Sequence, residues 1–91
     1  MNETSYETRF ICRTAIGKPL YIVAENKAIN GHGGTVSSYR LSDNFADASK
    51  CMNKVTARTL IKDYLQSTNS TKTFDIYAVG VTVKLGEKIN E

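Results

Sequence analysis

The chain holds one histidine, two cysteines and nine acidic residues, and these are the groups from which catalysis would have to be assembled. Nucleophilic catalysis needs a base beside the nucleophile and a third group to orient the base. His32 is the only imidazole, and it sits among Gly31, Gly33 and Gly34, so no triad can be built around it. A zinc site needs about four ligands, or three and a water, usually at close spacing. Cys12, Cys51 and His32 are scattered and lack the C-x-x-C pattern, so we expect no metal, no cofactor and two free, buried thiols in a reducing compartment. Asp43, Asp47, Asp63 and Asp75 read as caps and solvent-facing charges. Acid/base work would need two of them converging in a cleft, which a domain this small rarely provides. The run Asn30-Gly31-His32-Gly33-Gly34-Thr35 offers backbone N–H groups of the kind that bind anions. It has neither the Lys-Ser/Thr of a phosphate loop nor the strand-helix context of a dinucleotide loop, and so reads as a connecting loop with His32 exposed on it. The expectation is a protein without catalytic residues.

The positive charges are better organised. Lys50, Lys54, Arg58 and Lys62 recur every four residues, so wherever this segment is helical they line one ridge. With a net charge of +3, such a ridge attracts polyanions or the acidic face of a protein. No RNA- or zinc-finger-type motif accompanies it. Tyr21, Tyr39, Tyr64, Tyr77, Arg40 and Arg58 are of the types that concentrate binding energy at protein interfaces. The candidate binding residues are therefore His32, Tyr39, Arg40, Lys50, Lys54, Arg58 and Lys62. The partners they fit are a protein or nucleoprotein complex, nucleic acid, or a second copy joined near Tyr39 or through the exposed face of the last strand.

The elements that must position these groups follow from periodicity. Tyr6, Thr8, Phe10 and Cys12 alternate with Glu7, Arg9 and Arg13, the pattern of a half-buried strand over residues 6–15. Gly17-Lys18-Pro19 supplies a turn, and the apolar run 20–25 completes a hairpin. Residues 26–38 read as a loop, or as a loop interrupting an edge strand, before a short strand at Tyr39-Arg40-Leu41. Ser42-Asp43 then opens a helical turn that buries Phe45 and Ala48, with a short extended piece near 50–52. From Asn53 or Thr56, the residues Ala57, Leu60, Ile61, Tyr64 and Leu65 recur at the spacing of an amphipathic helix, which ends within the polar residues 66–73. A single helix over 43–66 fits the same spacing, but the polar clusters at both candidate caps favour two pieces. In the last strand, 74–85, Tyr77, Val79, Val81, Val83 and Leu85 share one face. The whole reads as one α+β domain over residues 1–91, a small antiparallel sheet of three to five strands with the helix packed on one face through Leu60, Ile61 and Leu65 against the last strand.

The longest apolar runs, 20–24 and 76–83, fall short of the roughly 20 residues that cross a bilayer. The amino terminus has no signal-peptide pattern, so the expected location is the cytoplasm. The order of elements, carried by Lys18-Pro19-Leu20-Tyr21-Ile22-Val23, by residues 39–51, by Ala57-Arg58-Thr59-Leu60-Ile61-Lys62-Asp63-Tyr64-Leu65 and by Phe74-Asp75-Ile76-Tyr77-Ala78-Val79, resembles small accessory proteins of bacteriophages of Gram-positive hosts. That resemblance implies a strand-rich module with one helix in the host cytoplasm, with a host protein or nucleoprotein complex as partner and a stoichiometric role, in its sharpest form the binding and blocking of host defence machinery by anti-CRISPR proteins. It assigns no residue roles, and the long glycine loop departs from the usual tight connection.

Overall fold

The computed structural model describes residues 3–28 and 35–86. Four strands, β1 (Glu3–Thr14), β2 (Tyr21–Ala28), β3 (Thr35–Ser42) and β4 (Phe74–Leu85), form one antiparallel sheet in the order β3-β2-β1-β4. A 3-10 turn (Phe45–Asp47) and one helix, α1 (Lys54–Thr68), lie between β3 and β4. The chain is thus a small α+β fold. No helix among the described residues is long and apolar enough to cross a membrane.

The sheet is forked. β1 and β4 pair without a break from Glu3↔Leu85 to Thr14↔Phe74, and β2 and β3 pair from Tyr21↔Ser42 to Ala28↔Thr35. β1 and β2 meet only at Arg13↔Tyr21, so the expected hairpin is paired at its closed end alone. There Gly17 turns the chain at φ 81°, a conformation that costs a glycine nothing. The buried Thr14 hydroxyl donates to the Lys18 carbonyl at 2.9 Å and accepts from the Leu20 N–H at 3.0 Å. Beyond this point the strands part around residues 49–51. Ser49 N–H donates to the Ile22 carbonyl at 3.1 Å, its hydroxyl accepts from Ala24 N–H at 2.8 Å, and Cys51 exchanges two backbone bonds with Phe10 at 2.7 and 2.9 Å. Backbone groups that the fork would leave unpaired are satisfied by this wedge. The extended piece expected near 50–52 is this segment.

Of residues 26–38, 26–28 and 35–38 are strand, which fits the reading of an interrupted edge strand rather than that of a continuous loop. β2 runs through Ala28 and β3 begins at Thr35, because the ladder between them continues past the apolar residues through Asn26 and Ser37, whose side chains bond each other at 3.0 Å. The expected loop around His32 lies outside the described residues.

Residues 43–66 form two pieces. Asn44, and not Ser42 or Asp43, caps the first turn, accepting from Ala46 N–H at 3.0 Å, while Ser42 bonds Asp47 at 2.8 Å. Ala48 then leaves helical geometry at ψ 131°, and Asn53 caps α1 by accepting from Thr56 N–H at 2.8 Å. The turn buries Ala48 as expected but leaves Phe45 51% exposed.

α1 lies across the sheet and touches all four strands, so its packing is not confined to β4. Ala57 and Tyr64 are its buried residues, while Leu60, Ile61 and Leu65 form a half-buried rim. The small Ala57 lets the helix backbone approach β1 closely enough for the Cys12 thiol to donate to the Ala57 carbonyl at 3.3 Å. Tyr64 meets Phe74 edge to face at 5.3 Å. Cys12, Ile22 and Cys51 complete this core. Strand alternation therefore turns Phe74 and Ile76 toward the helix and puts Tyr77 and Val79 on the other side of the sheet.

Candidate aromatic and arginine site

The face away from α1 holds a second core, in which Ile11, Tyr21 and Ala48 pack with Val79. Among the described residues only the turn after β3 covers it. Phe45 from that turn stands edge to face on Tyr21 at 5.7 Å, and on the neighbouring strands Arg13 lies over the Tyr77 ring, 5.0 Å from its centroid. Between Phe45 and Tyr77 lies an open groove of about 380 Å³, floored by Ile11 and Val79. Tyr77 is 40% exposed. The strand register explains the arrangement. Arg13 opposes both Tyr21 and Asp75, and Ile11 opposes Tyr77, so β1 sets one cation and one aliphatic side chain between two aromatics. Arg13 rests its guanidinium on the ring and makes no ion pair with Asp75 among the described residues, and its Nε is buried without a hydrogen-bond partner. A cation over an aromatic face is worth about 0.5–2 kcal/mol, depending on how dry the pair is.

The residues singled out by sequence are dispersed. Arg40 is exposed on this same face but is held by Glu25 at 2.9 Å, about one strand width from the groove. Tyr39 points to the other face, half-buried against the helix-side core. Lys54, Arg58 and Lys62 are exposed along α1 and form no ion pair among the described residues. Lys50 precedes the helix, its Nζ donating to the Ala48 carbonyl at 3.3 Å, so the basic ridge has three members rather than four. His32 lies outside the described residues. Tyr64, one of the aromatic anchor types, is core.

Arg13 and Phe45 were not legible as site residues. Arg13 shares its strand face with Glu7 and Arg9, as a solvent-facing residue does, and Phe45 scans as the buried member of a turn. The available signal was parity: Ile11, Arg13, Tyr77 and Val79 are all odd-numbered residues of two strands that pair with an even sum.

Chemistry at the thiols is suppressed. Burial, with a smaller contribution from the nearby Cys51, pushes the Cys12 thiol up to about 12, and burial also raises Cys51. Both stay protonated at neutral pH, the unreactive form. Among the described residues no three His, Cys, Asp or Glu side chains converge as metal ligands would. Asp43 instead pairs with Lys18 at 3.3 Å, and Asp47 accepts from Ser42. Comparison with protein families, with curated proteins and with solved structures returned no match.

Proposed function

We propose that this chain is a non-enzymatic protein-binding module of phage type, which acts by occupying a host protein one to one, with inhibition of a host defence complex as its sharpest form. The observation that carries the reading is the groove between Phe45 and Tyr77. It groups two exposed aromatics and an arginine around an aliphatic floor on one face of the sheet, the composition of an interface hot spot. The test begins with a partner purified from infected cells. Titration calorimetry should return a stoichiometry of one, and Phe45→Ala and Tyr77→Ala should each weaken binding at least tenfold, a loss of about 1.4 kcal/mol or more. Partner inactivated by substoichiometric amounts of the chain, or affinity unchanged in both variants, would refute this reading.

A second reading, binding of nucleic acid, is favoured by the three cations on α1 that form no ion pair among the described residues. It makes a separate prediction for the triple variant Lys54→Glu, Arg58→Glu, Lys62→Glu. The slope of log affinity against log salt for duplex DNA should flatten by about 0.9 for each phosphate the variant no longer neutralises, here close to 3. The melting temperature should stay within a degree or two, because exposed charges contribute little to stability. Parallel salt curves for wild type and variant would remove α1 from the binding surface.

A further inference from the structure

We infer that β4 is a dimerisation edge, and that two copies of this chain join β4 to β4 about a two-fold axis at Gly80, continuing the sheet from one protomer into its partner.

The argument begins with the direction of the backbone groups. Phe10 gives both its bonds to Cys51, on the β2 side, and Ala15 N–H donates to the Thr73 carbonyl on the β4 side at 2.9 Å. Even residues of β1 therefore turn toward β2 and odd ones toward β4. By the same alternation the odd residues of β4 bond β1, and the N–H and C=O groups of Ile76, Ala78, Gly80 and Thr82 point away from the sheet. None of them has a partner among the described residues.

Monomeric proteins protect such an edge with proline, a bulge, inward charges or a short strand. β4 uses none of these. It is 12 residues long, pairs with β1 without a bulge, and from Ile76 to Val83 carries no charge. Of the other open edges, β3 is shorter and bears Arg40, and the stretch of β1 past the fork, Glu3–Thr8, carries Glu3 and Glu7.

The far half of the β1–β4 ribbon adds a second reason. Past the fork, Glu3–Thr8 pair with Gly80–Leu85 and with nothing else among the described residues, and Tyr6, Val83 and Leu85 are 79%, 43% and 61% exposed. A ribbon of two strands is only marginally stable in water and gains independent stability from a third. The shape of the chain agrees. Its surface is 6849 Å², where a compact monomer of its mass exposes about 5,300 Å². Its radius of gyration is 16.3 Å, against about 12 Å for a compact chain of this length.

A second copy fits because an antiparallel edge is complementary to itself under a two-fold rotation. Centring the axis on Gly80 opposes Val79 to the partner's Val81 and Tyr77 to the partner's Val83, so apolar side chains meet along the central rungs. The glycine also suits that centre. A Cβ built there meets nothing within its own protomer, so nothing inside the protomer calls for glycine, whereas glycine within a strand often marks the close approach of another backbone.

The experiment is sedimentation equilibrium of the full chain at micromolar concentration. Wild type should behave as a dimer. Thr82→Pro removes an outward N–H and no bond to β1, and should give a monomer with a cooperative melt. Independently of how that variant folds, Gly80→Cys should form an intermolecular disulfide with oxidised glutathione. Its two introduced thiols oppose each other across the axis at a Cα separation of about 5.5 Å, within disulfide range. Lys84→Cys, about 27 Å from its symmetry mate at roughly 3.4 Å per residue, should not. A monomeric wild type overturns the inference, including one that takes up a strand from another protein instead. So does a Thr82→Pro variant that remains dimeric, or equal cross-linking at both cysteine positions.

Discussion

Ile22→Ala is expected to lower the unfolding free energy by about 2–5 kcal/mol, and Tyr64→Ala by about 3–5 kcal/mol. Ile22 is fully buried and Tyr64 is 6% exposed, and both belong to the core between α1 and the sheet. Tyr64→Ala also removes the edge-to-face stacking with Phe74, so it loosens the attachment of α1 to β4 as well as opening a cavity. Domains of about this size have roughly 5–15 kcal/mol in total, so either change removes a large share. Leu60→Ala and Ile61→Ala should cost less than Ile22→Ala, because both side chains sit at the half-buried rim and water refills the space they leave. Urea titrations followed by circular dichroism give the comparison. A rim variant that loses as much as Ile22→Ala would mean that the helix is rolled about its axis from the position described.

Raising the pH should destabilise the fold between about 9 and 12 through Cys12. Its thiol has an ordinary value of 9.0 and is pushed up to about 12 in the folded chain, chiefly by burial and then by Cys51. The folded state thus favours the protonated thiol. The stability this contributes is complete below pH 9 and is lost progressively as the pH rises toward 12, where the unfolded chain has released a proton that the folded chain still holds. Cys51, raised by burial, acts in the same direction. Thiolate absorbance at 240 nm separates this effect from the tyrosines and lysines that titrate in the same range. Native protein should show no thiolate step near pH 9, and denatured protein should show two thiols titrating there. A native thiolate appearing near 9 would mean that Cys12 is accessible to water.

Local chemistry decided much of this chain. Alternation identified β1 and β4, Gly17-Lys18-Pro19 placed the first turn, and Ala57, Leu60, Ile61, Tyr64 and Leu65 defined the helix, because these signals depend on neighbours within one or two turns of the backbone. Side-chain caps broke residues 43–66 into two pieces, as Asn44 and Asn53 hold backbone N–H groups that a continuous helix would have used internally. Local pattern left one polar stretch open between a loop and an interrupted edge strand. Residues 26–28 and 35–38 look like loop, yet they continue the β2–β3 ladder, since strand pairing is satisfied by the backbone of a distant partner whatever the side chains are.

What only the tertiary structure decided is which strands became neighbours and which face the helix covered. Periodicity puts Tyr77 and Val79 together on one side of a strand, but it is silent on whether that side meets α1. The helix chose the opposite side because Ala57 fits closely over Cys12 there, and this left the more apolar face of β4 partly open. The wedge of residues 49–51 had a comparable effect, since by occupying the edge of β1 it parted the two ribbons. Arg13, Phe45 and Tyr77 come from three separate elements, and nothing between neighbours in the chain encodes their meeting. The sheet register brings them together, and that register is set by long-range hydrogen bonds and by the burial of Ile11 and Ile22 on opposite faces of the same sheet.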